Sequence, residues 1–250
     1  MQQQRPYVLT VAGFDPSGGA GLLADVKTFE QHKVYGLGVS TANTLQTEDK
    51  FYSVEWENIE NVLKAVDIML DTYPVKVIKT GIVPSFDYLY AIVSRINHKN
   101  PKIKIVVDPV IKSSSGFEFH GPATSGNLQK VLSNVYLITP NLYEATRLTG
   151  NTDSKKAAKE LSAHCHVLLK GGHAETNTGV DYLFTHENCF ALEPENTGVP
   201  SKHGSGCVLS ASIAANLARD YDLTTSCKRA KTYVEAFLTS NRSLLGFHYV

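Results

Sequence analysis

Residues 203–217 read HGSGCVLSASIAANL, in which two glycines flank a serine and a cysteine opens a helical run of small and apolar residues. Glycine allows backbone conformations that side chains forbid and lets a ligand approach the chain closely. The first turn of a helix presents unpaired N–H groups and a partial positive charge. Gly204, Ser205 and Gly206 therefore predict an anion hole suited to a phosphoryl group.

The same stretch has a simpler interpretation, in which a glycine-rich turn is capped by the side chain of Ser205. From this stretch alone the two interpretations are equally good. Cys207 adds chemistry to the first of them, because a thiol at a helix start is expected to have a lowered pKa. Cys207 is therefore a candidate base or nucleophile.

Outward from this stretch, strand-like and helix-like patterns alternate along the chain. Strand patterns occupy 7–14, 36–45, 75–83, 104–110, 134–141 and 166–173, helix patterns occupy 18–32, 56–73, 86–97, 155–164, 206–219 and 224–244, and a hairpin pattern occupies 180–193. This order predicts an α/β fold, with a mostly parallel sheet and helices on both of its faces. No linker or repeat interrupts the pattern, so residues 1–250 are predicted to form a single domain.

Composition narrows the class of protein. Apolar residues make up 42% of the 250 residues, charged residues make up 19%, and the formal net charge is zero. With no basic stripe and no apolar run of about 18 residues, we expect neither a nucleic-acid partner nor a membrane span. The N-terminus does not resemble a signal peptide, and four well-separated cysteines indicate reduced thiols in a cytoplasmic protein.

Polar residues follow several predicted strands at the point where each strand ends. They are Asp15, Thr80 with Gly81, Asp108, Asn141, and Lys170 with Gly171 and Gly172. In open α/β sheets, ligands bind at the carboxyl ends of the strands. The sequence therefore predicts a site at this edge of the sheet.

Two of these positions leave alternatives open. Asn141 and Glu144 stand three residues apart at a predicted helix start, where they could organise a hydrated magnesium ion or form a capping box. Lys170 could reach phosphate oxygens or lie on a surface loop. The stretch AGFDPSGGAGLLAD at 12–25 fits neither GxGxxG nor a P-loop, so alone it indicates only a tight turn.

Taken together, the motifs resemble a known family. Their order runs AGFDPSGGAGLLADVKTF, STANTLQT, KTG, VVDPV, LITPNLYEA, VLLKGGH and HGSGCVLSASIAA, over about residues 7–219. The chain is similar to the hydroxymethylpyrimidine/phosphomethylpyrimidine kinases of thiamine biosynthesis. That family implies a ribokinase-like three-layer sandwich and ATP-dependent phosphorylation of 4-amino-5-hydroxymethyl-2-methylpyrimidine and then of its monophosphate.

The resemblance also implies roles for individual residues. Cys207 stands where most ribokinase relatives carry an aspartate base, so it would take the hydroxyl proton above the anion hole. The remaining roles are pyrimidine binding by Gly13, Asp25 and Gln46, ATP phosphate binding by Asn141, Lys170 and Gly171, and Mg²⁺ binding by Asp108 and Glu144. A homodimer is expected from the same resemblance.

Several positions depart from the family pattern. The usual AQNT reads LQTE, a common methionine is Ile82, and the usual threonine of the anion hole is Ser205. Since these lie around the pocket, a pyridoxal or pyridoxine kinase stays as an alternative. An inactive pyrimidine-binding module is a further alternative, although it would be expected to have lost Cys207, Asn141 or Glu144, and all three are present. The polar stretch 111–122 is either a flap over this pocket or an ordinary surface loop.

Overall fold

The computed structural model describes residues 5–113, 116–119, 125–172 and 179–249. The strands are β1 Tyr7–Phe14, β2 Tyr35–Gln46, β3 Phe51–Trp56, β4 Val75–Thr80, β5 Lys104–Val107, β6 Leu137–Ile138, β7 His166–Leu169, β8 Asp181–Phe184 and β9 Cys189–Leu192. The helices are α1 Gly21–Gln31, α2 Ile59–Thr72, α3 Phe86–Lys99, α4 Ser125–Leu132, α5 Leu142–Thr149, α6 Ser154–Leu161, α7 Ser205–Ala218 and α8 Leu223–Thr239.

The strands form one sheet in the order β3-β2-β1-β4-β5-β6-β7-β8-β9. From β2 to β7 every pairing is parallel, while β3, β8 and β9 pair antiparallel with their neighbours. The strands β5, β6 and β7 are short and mostly apolar, as strands buried on both faces are. The predicted mostly parallel sheet is therefore confirmed.

Two apolar cores lie on opposite faces of this sheet. One packs residues of α2 to α6 against it, and the other packs residues of α1, α7 and α8 against it. The helix α7 is buried along almost its whole length, because its small and apolar residues leave no polar face. The predicted helix–sheet–helix sandwich is confirmed.

Some elements differ from the sequence predictions. The strand β3 was not predicted, and α4 was not predicted either. The predicted helix 224–244 ends at Thr239, because the chain turns away through the polar residues Ser240 and Asn241. The predicted hairpin at 180–193 is present as β8 and β9.

The stretch 111–122 lies only partly within the described residues, which exclude 114–115 and 120–122. In its described part, Lys112 pairs with Glu118, and Phe117 stacks on Phe51 of β3 at a ring separation of 4.4 Å.

No helix within the described ranges combines the length and the apolar character that crossing a membrane requires.

Candidate active site

The start of α7 is a helix terminus without a side-chain cap. Its N-cap residue is Gly204, in the left-handed region with φ of 73°, and a glycine has no side chain that could accept from the first-turn amides. The start of α1, at Ala20, likewise has no side-chain cap, whereas α2, α3, α5, α6 and α8 each have a polar N-cap side chain that accepts from a first-turn N–H. The interpretation as a turn capped by Ser205 is therefore wrong. We call residues 204–206 the anion-binding loop.

Close approach explains the glycine at position 204. A Cβ atom there would lie 2.0 Å from the carbonyl oxygen of Gly19, in the glycine-rich loop before α1. At the next glycine, Gly206, a Cβ would lie 3.3 Å from Nζ of Lys170. The anion-binding loop is thus held between the loop before α1 and the ammonium of Lys170.

Asp15 joins the two glycine-containing loops. Its carboxylate lies 2.9 Å from Nε2 of His203 and accepts from the N–H groups of Ser17 at 2.9 Å and Ala20 at 2.8 Å. Burial acts to raise the pKa of Asp15, but the hydrogen bonds from His203, Ser17 and Ala20 outweigh it and lower the pKa. Asp15 is therefore an ionised structural link between the starts of α1 and α7.

Cys207 lies in the first turn of α7 and is half-buried. Burial raises the pKa of its thiol to about 11, and the carboxylates of Asp108 and Asp25 add to this effect. The Lys79 ammonium and the Gly21 N–H oppose it without reversing it. The expectation of a lowered pKa at Cys207 is therefore wrong, because desolvation and nearby carboxylates outweigh the helix start.

Asp25 and Lys79 form a fully buried ion pair beneath this turn. Nζ of Lys79 donates to both carboxylate oxygens of Asp25, at 3.0 and 2.9 Å, and Thr10 donates to Asp25 at 2.5 Å. Neither charged side chain has exposed surface. The expectation that Asp25 contacts the pyrimidine directly does not fit this geometry, because its oxygens already bind Lys79 and Thr10 below the surface.

Across from Cys207, Lys170 lies between two carboxylates. Its Nζ is 2.9 Å from Oδ1 of Asp108 and 3.7 Å from Oε2 of Glu144. Ser210 of α7 lies 3.4 Å from the second oxygen of Asp108, so this cluster contacts the first turns of α7. The charged groups predicted at separate strand ends are thus brought together.

Asn141 and Glu144 form the capping box that was one of their two interpretations. The Asn141 side chain accepts from the Glu144 N–H at 2.8 Å, and Glu144 accepts from the Asn141 N–H at 2.7 Å. Burial and the neighbouring Asp108 raise the pKa of Glu144 to about 7, although Lys170 opposes them. The magnesium role of Glu144 stays a prediction.

A magnesium ion fits this donor set only together with a substrate. Among the described residues, no group of three or more His, Cys, Asp and Glu side chains could hold a metal. Mg²⁺ is usually bound by one or two carboxylates plus substrate phosphates and waters. Asp108 and Glu144 are two such carboxylates at one edge of the sheet, so they fit an ion that arrives with a nucleotide.

Gly171 has a different role from the one expected of it. Its N–H donates to Oδ1 of Asp181 at 2.8 Å, and a Cβ there would lie 1.9 Å from the carbonyl oxygen of Val180. The glycine therefore lets the end of β7 approach β8. Because its N–H already donates to Asp181, the expected phosphate binding by Gly171 does not fit this geometry.

Gly13 and Gln46 lie where β1 and β2 end. A Cβ at Gly13 would lie 2.3 Å from Cδ1 of Ile82, so Ile82 lies directly over that glycine. Nε2 of Gln46 donates to Thr44 at 2.8 Å, and Thr44 donates to the carbonyl of Phe14 at 2.9 Å. Gln46 is partly exposed, so its amide is oriented by Thr44 and remains accessible to a ligand.

Sequence reasoning missed the structural importance of Lys79 and His203. Lys79 interrupts the apolar strand VKVIKT just before Gly81, and a lysine inside a buried strand signals a buried counter-charge. His203 immediately precedes Gly204, but its contact with Asp15 joins positions 188 residues apart. No local sequence pattern reveals the contact between His203 and Asp15.

Comparisons with known proteins agree on one family. A family model described as phosphomethylpyrimidine kinase matches residues 15–249. The chain is 32% identical to a hydroxymethylpyrimidine/phosphomethylpyrimidine kinase of Aquifex aeolicus, over 94% of this chain and 95% of that protein.

Two solved structures are also similar over nearly the whole chain. A phosphomethylpyrimidine kinase from Clostridium difficile 630 is 34% identical with a TM-score of 0.77, over 92% of this chain and 98% of that one. The pyridoxal kinase of Bacillus subtilis, solved as an ADP complex, is 28% identical with a TM-score of 0.83, over 96% of this chain and 94% of that one. The expected ribokinase-like fold is confirmed by these neighbours.

Proposed function

The chain belongs to the phosphomethylpyrimidine kinase family, and we propose that it transfers the γ-phosphoryl group of ATP to 4-amino-5-hydroxymethyl-2-methylpyrimidine and then to the resulting monophosphate. The observation that carries this proposal is the uncapped start of α7 at Gly204, with Cys207 in its first turn. Free N–H groups at a helix start bind phosphate, and phosphoryl transfer needs positioning and charge stabilisation rather than covalent chemistry.

In the first reaction, the hydroxymethyl oxygen of the pyrimidine forms a bond to the γ-phosphorus. The bond from that phosphorus to the β,γ-bridging oxygen breaks, and ADP leaves with the electron pair. The thiolate of Cys207 takes the hydroxyl proton. The N–H of Ser205 donates to the Lys202 carbonyl at 3.4 Å, so the following N–H groups of the first turn, at Gly206 and Cys207, stabilise the charge on the transferring oxygens. Because the pKa of Cys207 is about 11, only a small fraction of the protein holds this base ready at neutral pH.

Lys170, Asn141, Asp108 and Glu144 form the nucleotide side of the proposed site. Lys170 contributes a positive charge for the ATP phosphates, and Asn141 holds Glu144 at the start of α5. Asp108 and Glu144 would hold Mg²⁺, which supplies charge neutralisation on the phosphates when it is bound. ADP is present in the similar pyridoxal kinase structure, which supports nucleotide binding at this fold.

The deciding experiment measures ATP consumption by the purified protein with Mg²⁺. The acceptors are hydroxymethylpyrimidine, its monophosphate and pyridoxal, each compared with a reaction lacking acceptor. Turnover with both pyrimidines and a loss of at least about 100-fold in the Cys207→Ala variant are expected. Near-normal turnover of that variant contradicts the assigned base, and no turnover with any acceptor leaves only the inactive pyrimidine-binding module.

Pyridoxal phosphorylation is the second candidate function. The similar pyridoxal kinase has a higher TM-score than the similar phosphomethylpyrimidine kinase, at 0.83 against 0.77. Pyridoxal also carries a hydroxymethyl group on an aromatic ring, so the same Cys207 chemistry would serve it. A larger kcat/KM for pyridoxal than for the pyrimidine would establish this alternative and leave the transfer site unchanged.

We also propose a homodimer in the cytoplasm. The dimer is supported by exposed apolar side chains near the open edge of the sheet, where Leu45 is 62% and Tyr52 is 53% exposed. The cytoplasm is supported by the four free cysteines, since oxidising compartments favour disulfides. Sedimentation equilibrium distinguishes a dimer from a monomer of 27.4 kDa.

A further inference from the structure

The segment that follows α8 packs against the residues that lead into α7. The N–H of His203 donates to the carbonyl of Leu244 at 2.9 Å. The ammonium of Lys202 donates to the backbone and side-chain oxygens of Asn241, at 2.6 and 2.8 Å, and also to the carbonyl of Ser243. Four hydrogen bonds thus join 241–244 to the two residues immediately before the anion-binding loop.

Lys202 is a buried cation, with an exposed fraction of 5%. Within the described ranges, no carboxylate lies in salt-bridge distance of it. Its partners instead are oxygens just beyond the end of α8, where the helix dipole is negative. A buried ammonium is tolerated only when its N–H groups are hydrogen-bonded, so this contact holds the two segments together.

A second contact connects the same segment to the anion-binding loop through an apolar side chain. A Cβ at Gly19 would lie 2.6 Å from Cδ2 of Leu245 and 2.7 Å from the ring of His203. Gly19 in turn lies against Gly204, whose own Cβ would meet the Gly19 carbonyl at 2.0 Å. The side-chain amide of Asn241 donates to the Leu245 carbonyl at 2.9 Å and fixes this turn.

We propose that residues 241–245, together with Lys202, form a positioning element that holds the anion-binding loop in the geometry needed for phosphoryl transfer. The loop starts at a glycine and has no side-chain cap, so its rigidity must come from its neighbours. A displacement of about 1 Å can cost about 100-fold in rate when catalysis depends on positioning. This inference rests on the proposed kinase function and adds residues that touch neither substrate.

The first test replaces Lys202 by methionine, which keeps the apolar stem and removes the ammonium. We expect kcat to fall by about 10-fold or more, while KM for ATP and for the acceptor stays within about 3-fold. The matched control is Lys76→Met, because Lys76 is an exposed lysine whose partner Asp220 is also exposed. Lys202→Arg retains a charged donor and should recover part of the lost kcat.

A second variant covers the case in which Lys202→Met does not fold. Leu245→Ala removes the contact with Gly19 and leaves the Lys202 hydrogen bonds in place. The same split is expected, with a lower kcat and a nearly unchanged KM. Normal kcat in folded Lys202→Met and in Leu245→Ala overturns the inference, provided that the wild-type protein is active.

Amide hydrogen exchange tests the inference without any activity. In Lys202→Met we expect about 10-fold faster exchange in peptides covering 203–207, at the hydrogen-bonded N–H groups of His203 and Ser205, and unchanged exchange in α5. Unchanged exchange at 203–207, or an equal increase in α5, overturns a specific positioning role. If the wild-type protein phosphorylates no acceptor, the proposed function fails, and the exchange result still decides whether 241–245 holds the loop.

Discussion

At the scale of single residues, Cys207 determines how the proposed kinase should respond to pH. A base must be deprotonated to act, and burial raises the pKa of this thiol to about 11. Activity should therefore rise with pH, and log kcat/KM should increase by about one unit per pH unit between pH 8 and 10. Measurements begin at pH 8, above the pKa of about 7 of Glu144, so that this carboxyl does not contribute.

The matched variant for this profile is Cys207→Asp, which places a carboxylate where most ribokinase relatives have one. A carboxylate is ionised throughout this range, so the profile of the variant should be flat. Cys207→Ala should be flat as well and much slower. A wild-type profile that does not change between pH 8 and 10 would show that deprotonated Cys207 is not the base.

The buried pair Asp25–Lys79 makes a second prediction at this scale, about stability. Lys79→Met leaves a carboxylate without its counter-charge in a site with no exposed surface, which should cost about 3–5 kcal/mol in the free energy of unfolding. The double variant Lys79→Met with Asp25→Asn removes both charges and should recover most of this loss. Urea unfolding followed by circular dichroism measures both, and equal losses in the two variants would contradict a charge-pair explanation.

Gln46 carries the prediction about acceptor recognition. Its amide is oriented by Thr44 and the residue is partly exposed, so Gln46→Ala should remove hydrogen bonds to the pyrimidine ring. We expect an increase of about 10-fold in the dissociation constant for the pyrimidine and a change of less than about 2-fold for ATP. Calorimetric titration of each ligand measures this, and equal losses for both would contradict a ring-binding role.

At the scale of elements, the start of α7 depends on a close approach of two backbones. In Gly204→Ala, an alanine would have to adopt the left-handed backbone conformation, which its side chain disfavours. Its Cβ would also lie 2.0 Å from the carbonyl oxygen of Gly19. Gly198 is a matched control, because its φ is also positive, at 70°, and nothing lies within 4 Å of an added Cβ. Gly198→Ala should cost about 1–2 kcal/mol from strain alone, and Gly204→Ala should cost clearly more and abolish turnover.

Thermal unfolding and kinase assays of both variants measure this difference. Equal shifts in Tm would mean that the loop before α1 moves aside and that the contact with Gly19 is not tight. Normal turnover in Gly204→Ala would contradict the anion-binding role assigned to this helix start.

Several elements could be predicted from sequence because their signals are local. The strands β5, β6 and β7 lie in apolar runs, and β8 and β9 are recognisable as a hairpin. The strand β3 was missed because it is short and only half-buried at the sheet edge, and its pairing with β2 is set by tertiary contact. Helix α4 is only eight residues long, so the helical spacing of its buried residues Leu128, Val131 and Leu132 covers little more than one turn.

The site shows the same division between local and non-local signals. The positions of Asp108, Asn141 and Lys170 at strand ends followed from the alternation of strands and helices, and that of Glu144 from its spacing to Asn141 at a helix start. The raised pKa of Cys207 could not be predicted, because it depends on burial and on carboxylates from other strands. The hydrogen bonds of Lys202 join residues 39 and 41 positions apart, and they too are visible only in three dimensions.

At the scale of the whole molecule, residues 1–250 are predicted to unfold as one domain, because both apolar cores pack on the same sheet. Each core contains one buried free cysteine, Cys165 on the side of α2 to α6 and Cys227 on the side of α7 and α8. The rate at which a thiol reagent modifies each cysteine therefore reports the opening of one core. In increasing urea, both cysteines should become reactive at the same midpoint.

Mass spectrometry of the cysteine-containing peptides separates the two signals, with exposed Cys189 as a control that reacts at every urea concentration. ADP with Mg²⁺ at about 100 times its dissociation constant should stabilise the folded protein by about 2.7 kcal/mol and move both midpoints together. Residues assigned to the nucleotide site lie against both cores, because Asp108 contacts Ser210 of α7 and Glu144 belongs to α5, so we expect the opening of either core to release ADP. Separate midpoints, or an ADP shift at Cys227 alone, would instead indicate two independently unfolding units joined by the sheet.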